Sequence, residues 1–203
     1  MIKNRLPERI FLSSIKKDLQ KKMVRLGGPR QVGKTTLAVS LLKNYKDGHP
    51  AYLNWDNELS RRTILKSEWP KDEPLVIFDE IHKRKGWQNL VNRIWDVWKN
   101  TQRFIITGSA RLDIFRKGGD SMLGKDHYYR IHPFTLPEYG RTRENLATLF
   151  KFGGFPEPLI KKDETKLRRW HLQRISKLVR IDLRDLENVS DWKMVEAAAH
   201  YKF

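Results

Sequence analysis

Cysteine is absent from this 203-residue chain, which excludes disulfide-stapled scaffolds, thiol chemistry, cysteine-ligated zinc and iron–sulfur centres. Long hydrophobic runs are missing as well. No apolar stretch approaches the roughly 20 residues of a membrane-spanning helix, and Met1 to Gln20 scatter Lys, Arg, Glu and Asp among single apolar positions, unlike a targeting segment. The expectation is a cytoplasmic protein without a membrane partner. Acidic side chains are scarce: 24 Asp and Glu stand against 41 Lys and Arg, a net charge of +17.

What is present fits a folded domain. Hydrophobic residues make up 39% of the chain, and 9 Phe, 7 Trp and 6 Tyr are too many for a disordered one. The charge is uneven, with 12 basic and 3 acidic residues in 1–50. Such a stretch attracts nucleic acid or anionic nucleotides, or it is a solvated surface. No zinc-finger spacing, RNA-binding aromatic signature or long basic helix with heptads supports a nucleic-acid module, so nucleic acid stays a weak expectation.

Short apolar runs without alternation recur along the chain at Met23 to Leu26, Ala51 to Leu53, Leu75 to Phe78 and Phe104 to Ile106, each ending in Gly or a polar residue. Such runs predict strands covered on both faces, as in a parallel sheet. Between them, helical spacing is read at Thr35 to Tyr45, near Glu58 to Lys66, and at Gly86 to Lys99, where Trp87, Leu90, Val91, Ile94, Trp95 and Trp98 form a broad core-facing stripe. Beyond residue 133, Pro and Gly punctuate the chain, and Asp163 to Val189 reads as one long charged helix. The expected architecture is α/β: a P-loop three-layer sandwich with a mostly parallel sheet and an appended helical segment. Its parts are a leader helix over 1–20, a core over 21–137, and a helical, incomplete region over 138–203.

The run Gly28-Pro29-Arg30-Gln31-Val32-Gly33-Lys34-Thr35 fits GxxxxGKT between a strand and a helix. There the motif has mechanical meaning. Main-chain N–H groups turn inward on phosphate oxygens, and the positive end of the following helix adds to them. Gly28, Pro29, Arg30, Gln31, Val32, Gly33, Lys34, Thr35 and Thr36 are therefore the expected nucleotide-binding set. Lys34 reaches the β- and γ-phosphates, and the Thr35 hydroxyl sits on Mg2+. A second metal anchor belongs at the end of another buried strand, where Asp79 stands. Glu80, next to it, is placed to orient or deprotonate an attacking water. The 45 residues from Lys34 to Asp79 hold a helix, a strand and a second helix, which puts another strand between the loop strand and the acidic strand. Thr107 and Ser109 follow the last run, where a hydroxyl can sense the γ-phosphate or simply serve a turn.

The segments Leu26 to Leu37, Asp79-Glu80-Ile81, Ile106 to Ser109, Ser121 to Gly124, Pro133 to Tyr139 and Gly153-Gly154-Phe155-Pro156-Glu157 together resemble the prokaryotic AAA-domain ATP-binding proteins. In that family an ATPase module precedes a C-terminal domain of unknown function with a nuclease-like fold. The resemblance implies an ATPase module; the motif reading assigns Lys34, Glu80 and Ser109 to an Mg2+-dependent reaction, and a homo-oligomer is kept as one expected form. Two departures stand out. Lys125 occupies a place where the family carries Arg, a candidate arginine finger, and the chain ends at Phe203, whereas relatives run about as far again. It reads as a truncated member, with a complete short version as the alternative.

Rival readings are narrowed by spacing. Asp79-Glu80-Ile81-His82 matches a DExH helicase box, but such helicases separate loop and box by about twice as many residues. His82 then reads as a strand-end surface residue. No Asn-Lys-x-Asp guanine reader is present, which argues against a GTPase. A small-molecule P-loop kinase, with substrate readers near Asp56 and Arg111, and a nucleotide-gated binding module with little hydrolysis stay open. Arg111 and Arg116 are arginine-finger candidates. The six histidines show no ligand spacing, so no transition metal is expected, and Asp182 and Asp185 read as ion-pair partners.

Overall fold

The computed structural model describes residues 7–108, 122 and 124–177, with the side chains of 176 and 177 left aside. Ser109, Arg111, Arg116, Asp182, Asp185 and residues 178–189 of the expected long helix lie outside the described residues.

Five strands form one sheet: β1 (Met23–Gly27), β2 (Tyr52–Asn54), β3 (Leu75–Asp79), β4 (Arg103–Thr107) and β5 (Asp126–Arg130). The order across it is β2-β3-β4-β1-β5, and every pairing is parallel. The buried runs alternate between two cores. From β3 and β4, Val76, Phe78, Phe104 and Ile106 join one cluster, while Ile77 and Ile105 join the other. A strand sends successive side chains to opposite faces, and here both faces are dry because helices cover each. Helices α1 (Leu12–Asp18) and α2 (Lys34–Val39) lie on the Ile77 side. Helices α3 (Glu58–Lys66) and α4 (Trp87–Trp98) lie on the Phe78 side, which makes three layers.

The α4 stripe does what its spacing predicts. Trp87, Leu90, Val91, Ile94 and Trp95 are buried, and Trp98 packs against the same cluster. Helix α3 begins where Asn57 accepts a hydrogen bond from the Ser60 amide at 2.9 Å, satisfying one of the orphan donors of the first turn. Helix α2 is shorter than its pattern. It stops at Val39, and Leu41 and Leu42 continue in i to i−3 turns before Asn44 adopts φ 54°, so the apolar spacing outlasts the helix.

Two features differ from the sequence expectation. The strand lying between β1 and β3 in space is β4, whereas β2 is at the sheet edge beyond β3. A strand does stand between them, as the spacing predicts, but the crossover after β1 runs past two strand positions to the edge and the chain then steps back through β3 and β4. Strand β5 has no apolar run to announce it: it pairs with β1 alone and is only half-buried, with Tyr128 and Tyr129 packing on opposite cores, and so it tolerates Asp126, His127 and Arg130.

Among the described residues four helices follow: α5 (Leu136–Tyr139), α6 (Arg143–Phe152), α7 (Pro156–Lys161) and α8 (Glu164–Lys177). They share a small core of Phe134, Phe152 and Leu159, with Leu149 and Leu167 against it. Among the described residues no helix is long and apolar enough to cross a membrane.

Candidate nucleotide site

Strand β1 delivers the chain to the loop at Gly28. Its φ is 125°, and a Cβ there would lie 2.2 Å from the Ile131 carbonyl oxygen, so only glycine passes. Gly33, at φ 89°, caps α2, and Gln31 also takes a left-handed φ of 65°. Left-handed residues alternating with right-handed ones turn successive amides to one side, which forms an anion-binding concavity. Lys34 is buried, and its Nζ donates to the carbonyls of Gly28 at 3.1 Å and Pro29 at 2.8 Å. Its charge is thus folded back over the cradle rather than spread into solvent.

Asp79, 4% exposed, faces this loop from the end of β3. Its Oδ2 accepts from the Thr35 hydroxyl at 3.1 Å, the Tyr52 hydroxyl at 2.6 Å and the Asn54 amide at 3.5 Å. Its Oδ1 accepts from the fully buried Thr107 hydroxyl. Parallel register explains the convergence: Asn54 pairs with Asp79 and Asp79 with Thr107, so three strand ends present polar groups at one level. Burial, the hydrogen bond to Asp79 and its charge hold the Tyr52 phenol far above its usual range.

Glu80 leaves the strand with a left-handed φ of 57° and opens a short turn, Ile81–Lys83. Its amide donates to the Thr107 carbonyl at 3.1 Å. Burial pushes its carboxyl up from the ordinary value, and Lys83 draws it back. Lys83 Nζ lies 3.4 Å from the Glu80 carboxylate and 2.5 Å from that of Asp56. His82 is buried, 3.7 Å from Glu80, which corrects its reading as a surface residue. The apolar turn into α4 carries it inward.

The structure therefore brings together Gly28 to Thr36, Asp79 and Glu80. It does not bring Lys125, which pairs with Asp96 at 2.8 Å where β5 begins, beside the start of β1. That is the opposite end of the sheet from the loop. Four residues went unread in the sequence. Asn54 ends a strand just as Asp79 does, a usable signal, and Tyr52 precedes it by one pleat. Arg9 and Arg174 touch the loop from far along the chain, and no local pattern marks them. Beside the loop, a cavity of about 800 Å³ opens between Pro7, Leu12, Val32, Leu37, Phe134 and Ile160.

A parallel sheet with this loop and an acid-ended strand one place removed from the loop strand defines the P-loop class of ATPase modules. Within that class, the model of the AAA domain family matches residues 20–140, and the chain belongs to that family. No curated protein matches the chain in sequence. Solved structures similar to it include the Aeropyrum pernix ORC1 protein in complex with DNA, at 17% identity and a TM-score of 0.45, covering 71% of this chain and 50% of that one. The Thermotoga maritima RuvB Holliday junction branch migration motor is 17% identical at a TM-score of 0.47, covering 89% and 64%. A Thermotoga maritima DNA polymerase III gamma subunit-related protein is 13% identical at 0.44, covering 83% and 60%. The chain thus spans between half and about two thirds of the length of these structures.

Proposed function

We propose that the chain binds ATP with Mg2+ in the 28–36 loop and hydrolyses it to ADP and phosphate. One observation carries the reading: Thr35 and Asp79, from separate elements, meet at 3.1 Å beside a buried Lys34. A hydroxyl and a carboxylate at hydrogen-bond distance form the hard oxygen pair that Mg2+ takes in such sites. The metal would neutralise charge between the β- and γ-oxygens.

Each remaining step belongs to the protein's own groups. The loop amides receive the β-phosphate, and Lys34 turns from the Gly28 and Pro29 carbonyls to the γ-phosphate. The cavity of about 800 Å³ beside Val32 and Leu37 suits the nucleoside, since its walls are largely apolar. Thr107, Tyr52 and Asn54 hold the Asp79 carboxylate in one orientation. Glu80 orients a water in line with the γ-phosphorus and takes its proton as the new P–O bond forms and the bond to ADP breaks. Ser109 is assigned to sensing the γ-phosphate on sequence position alone.

The test is titration with ATP and GTP, with and without Mg2+, followed by phosphate release. Lys34→Ala abolishes binding, while Glu80→Gln retains it and loses about 10²- to 10⁴-fold in turnover. Equal turnover in Glu80→Gln removes Glu80 from the mechanism, and phosphate found on a metabolite favours the kinase. One observation favours a second reading, a nucleotide-gated binding module: Glu80 is drawn toward Lys83, itself held by Asp56. Binding without phosphate release in the parent chain selects it. The charge of +17 supports a nucleic-acid partner only if DNA changes the rate in a salt-dependent way. Mass measured with and without ATP tests the homo-oligomer.

A further inference from the structure

Two residues of the loop, Gln31 and Gly33, adopt left-handed φ, 65° and 89°. The carbonyl preceding each is held by an arginine from outside the loop. Arg174 of α8 donates from Nη1 to the Arg30 carbonyl at 3.3 Å. Arg9, ahead of α1, donates from Nη2 to the Val32 carbonyl and from Nη1 to the His132 carbonyl at 3.0 Å. Each guanidinium also rests on an aromatic face, Arg9 3.6 Å from the Phe134 ring centroid and Arg174 3.8 Å from that of Phe155. Arg9 is further fixed by Glu138 at 3.5 Å.

We infer that Arg9 and Arg174 are positioning residues for the phosphate loop, gripping its outward carbonyls so that its amides face the cradle. The physical link is the planar trans peptide, in which C=O and N–H point to opposite sides. An arginine that fixes the Arg30 carbonyl outward fixes the Gln31 N–H inward, and Arg9 does the same for the Gly33 N–H through Val32. Left-handed backbone at a non-glycine residue persists only where its surroundings impose it, and at Gln31 the surroundings include Arg174. The rings explain why arginine serves here: its planar cation stacks on an aromatic face while still donating in plane. The Phe134 and Phe155 turns thereby join the helical region to the loop, so a shift of α8 or of the leader loosens the cradle without touching a phosphate. This inference rests on the loop being a phosphate site, the reading proposed above.

The experiment has two readouts, so that the two ideas fail separately. Amide hydrogen exchange at residues 28–34 of the ligand-free chain reports the grip, and binding of inorganic tripolyphosphate, which has no base or sugar, reports its consequence. Arg174→Gln and Arg9→Gln are each expected to speed exchange at 28–34 and to weaken tripolyphosphate about tenfold, the effect of one hydrogen bond from a charged donor. Arg174→Lys and Arg9→Lys fall between Gln and the parent, because an ammonium keeps the positive charge on its donor whereas the Gln amide is a neutral donor. Phe155→Leu reproduces the Arg174 effect by removing the ring beneath it. Should Arg9→Gln not fold, Arg174→Gln and the two Lys variants decide. Unchanged exchange at 28–34 in folded Arg174→Gln overturns the inference, as do Lys variants no better than Gln. A parent chain that binds neither tripolyphosphate nor ATP counts against the nucleotide reading, and the exchange result then stands by itself.

Discussion

Thr107→Val isolates the buried hydrogen bond behind Asp79. Thr107 is fully buried, and its hydroxyl donates to one carboxylate oxygen while Thr35, Tyr52 and Asn54 serve the other. Valine keeps the shape and β-branching but removes the only donor seen on Oδ1 among the described residues. A hydrogen bond to a charged group contributes about 1.5–3 kcal/mol, and the variant should lose about that much stability. For a chain of this size the loss lowers the melting temperature by roughly 3–12 °C. Thr107→Ser retains the donor and gives up one methyl group, at about 1 kcal/mol, so it should sit between Val and the parent. In an Asp79→Asn background the acceptor is neutral and the same Thr107→Val change should cost only about 0.5–1.5 kcal/mol. Urea denaturation of the four variants, read at constant slope, measures the cycle. A Ser variant weaker than Val, or an equal cost of Thr107→Val in both backgrounds, would show that packing, and not the hydrogen bond to the charge, sets the value of Thr107.

Two further outcomes are expected from the same structure. Gly28→Ala drives a Cβ to 2.2 Å from the Ile131 carbonyl at φ 125°, so it should cost several-fold more in ATP affinity than Gly48→Ala, whose added Cβ meets nothing within 4 Å; parallel titrations compare them, and equal affinities would refute the steric account. For Glu138, burial alone would raise the carboxyl, but the amides of Thr135 and Ile10 and the charge of Arg9 bring it below its ordinary value of 4.5. A carboxyl lowered in the folded state contributes stability above the unfolded value, and this contribution is lost as the pH falls through the folded value. Glu138→Gln should therefore be less stable than the parent at pH 7, with the gap closing below pH 4.5. A gap that stays constant down to acid denaturation would remove the ionised carboxylate from the account.

Legibility in the sequence followed the range of the interaction that sets each feature. The runs at 75–78 and 104–106 lie in β3 and β4, and the pattern near Glu58 to Lys66 is α3, because each reports its own burial through a local period. The polar strand β5 gives no such report, since pairing with β1 on one edge is its main constraint. At the site, Lys34, Thr35, Asp79 and Glu80 were readable as a loop motif and a strand-end acid. Asn54 carried the same strand-end signature more faintly. His82 was misjudged because the turn that buries it is tertiary.

By itself the sequence determined that residues 28–35 carry the chain from strand to helix with a GxxxxGKT pattern, since glycine placement and the flanking apolar periods are properties of neighbours along the chain. Only the tertiary structure decided which strand stands beside β1, which hydroxyls surround Asp79, and which arginines hold the loop from behind. Arg174 lies 144 residues from the carbonyl it meets, and Arg9 lies 123 from His132. The physical reason is that a parallel sheet sets its strand order through crossover helices, and no local period encodes which edge a crossover returns to.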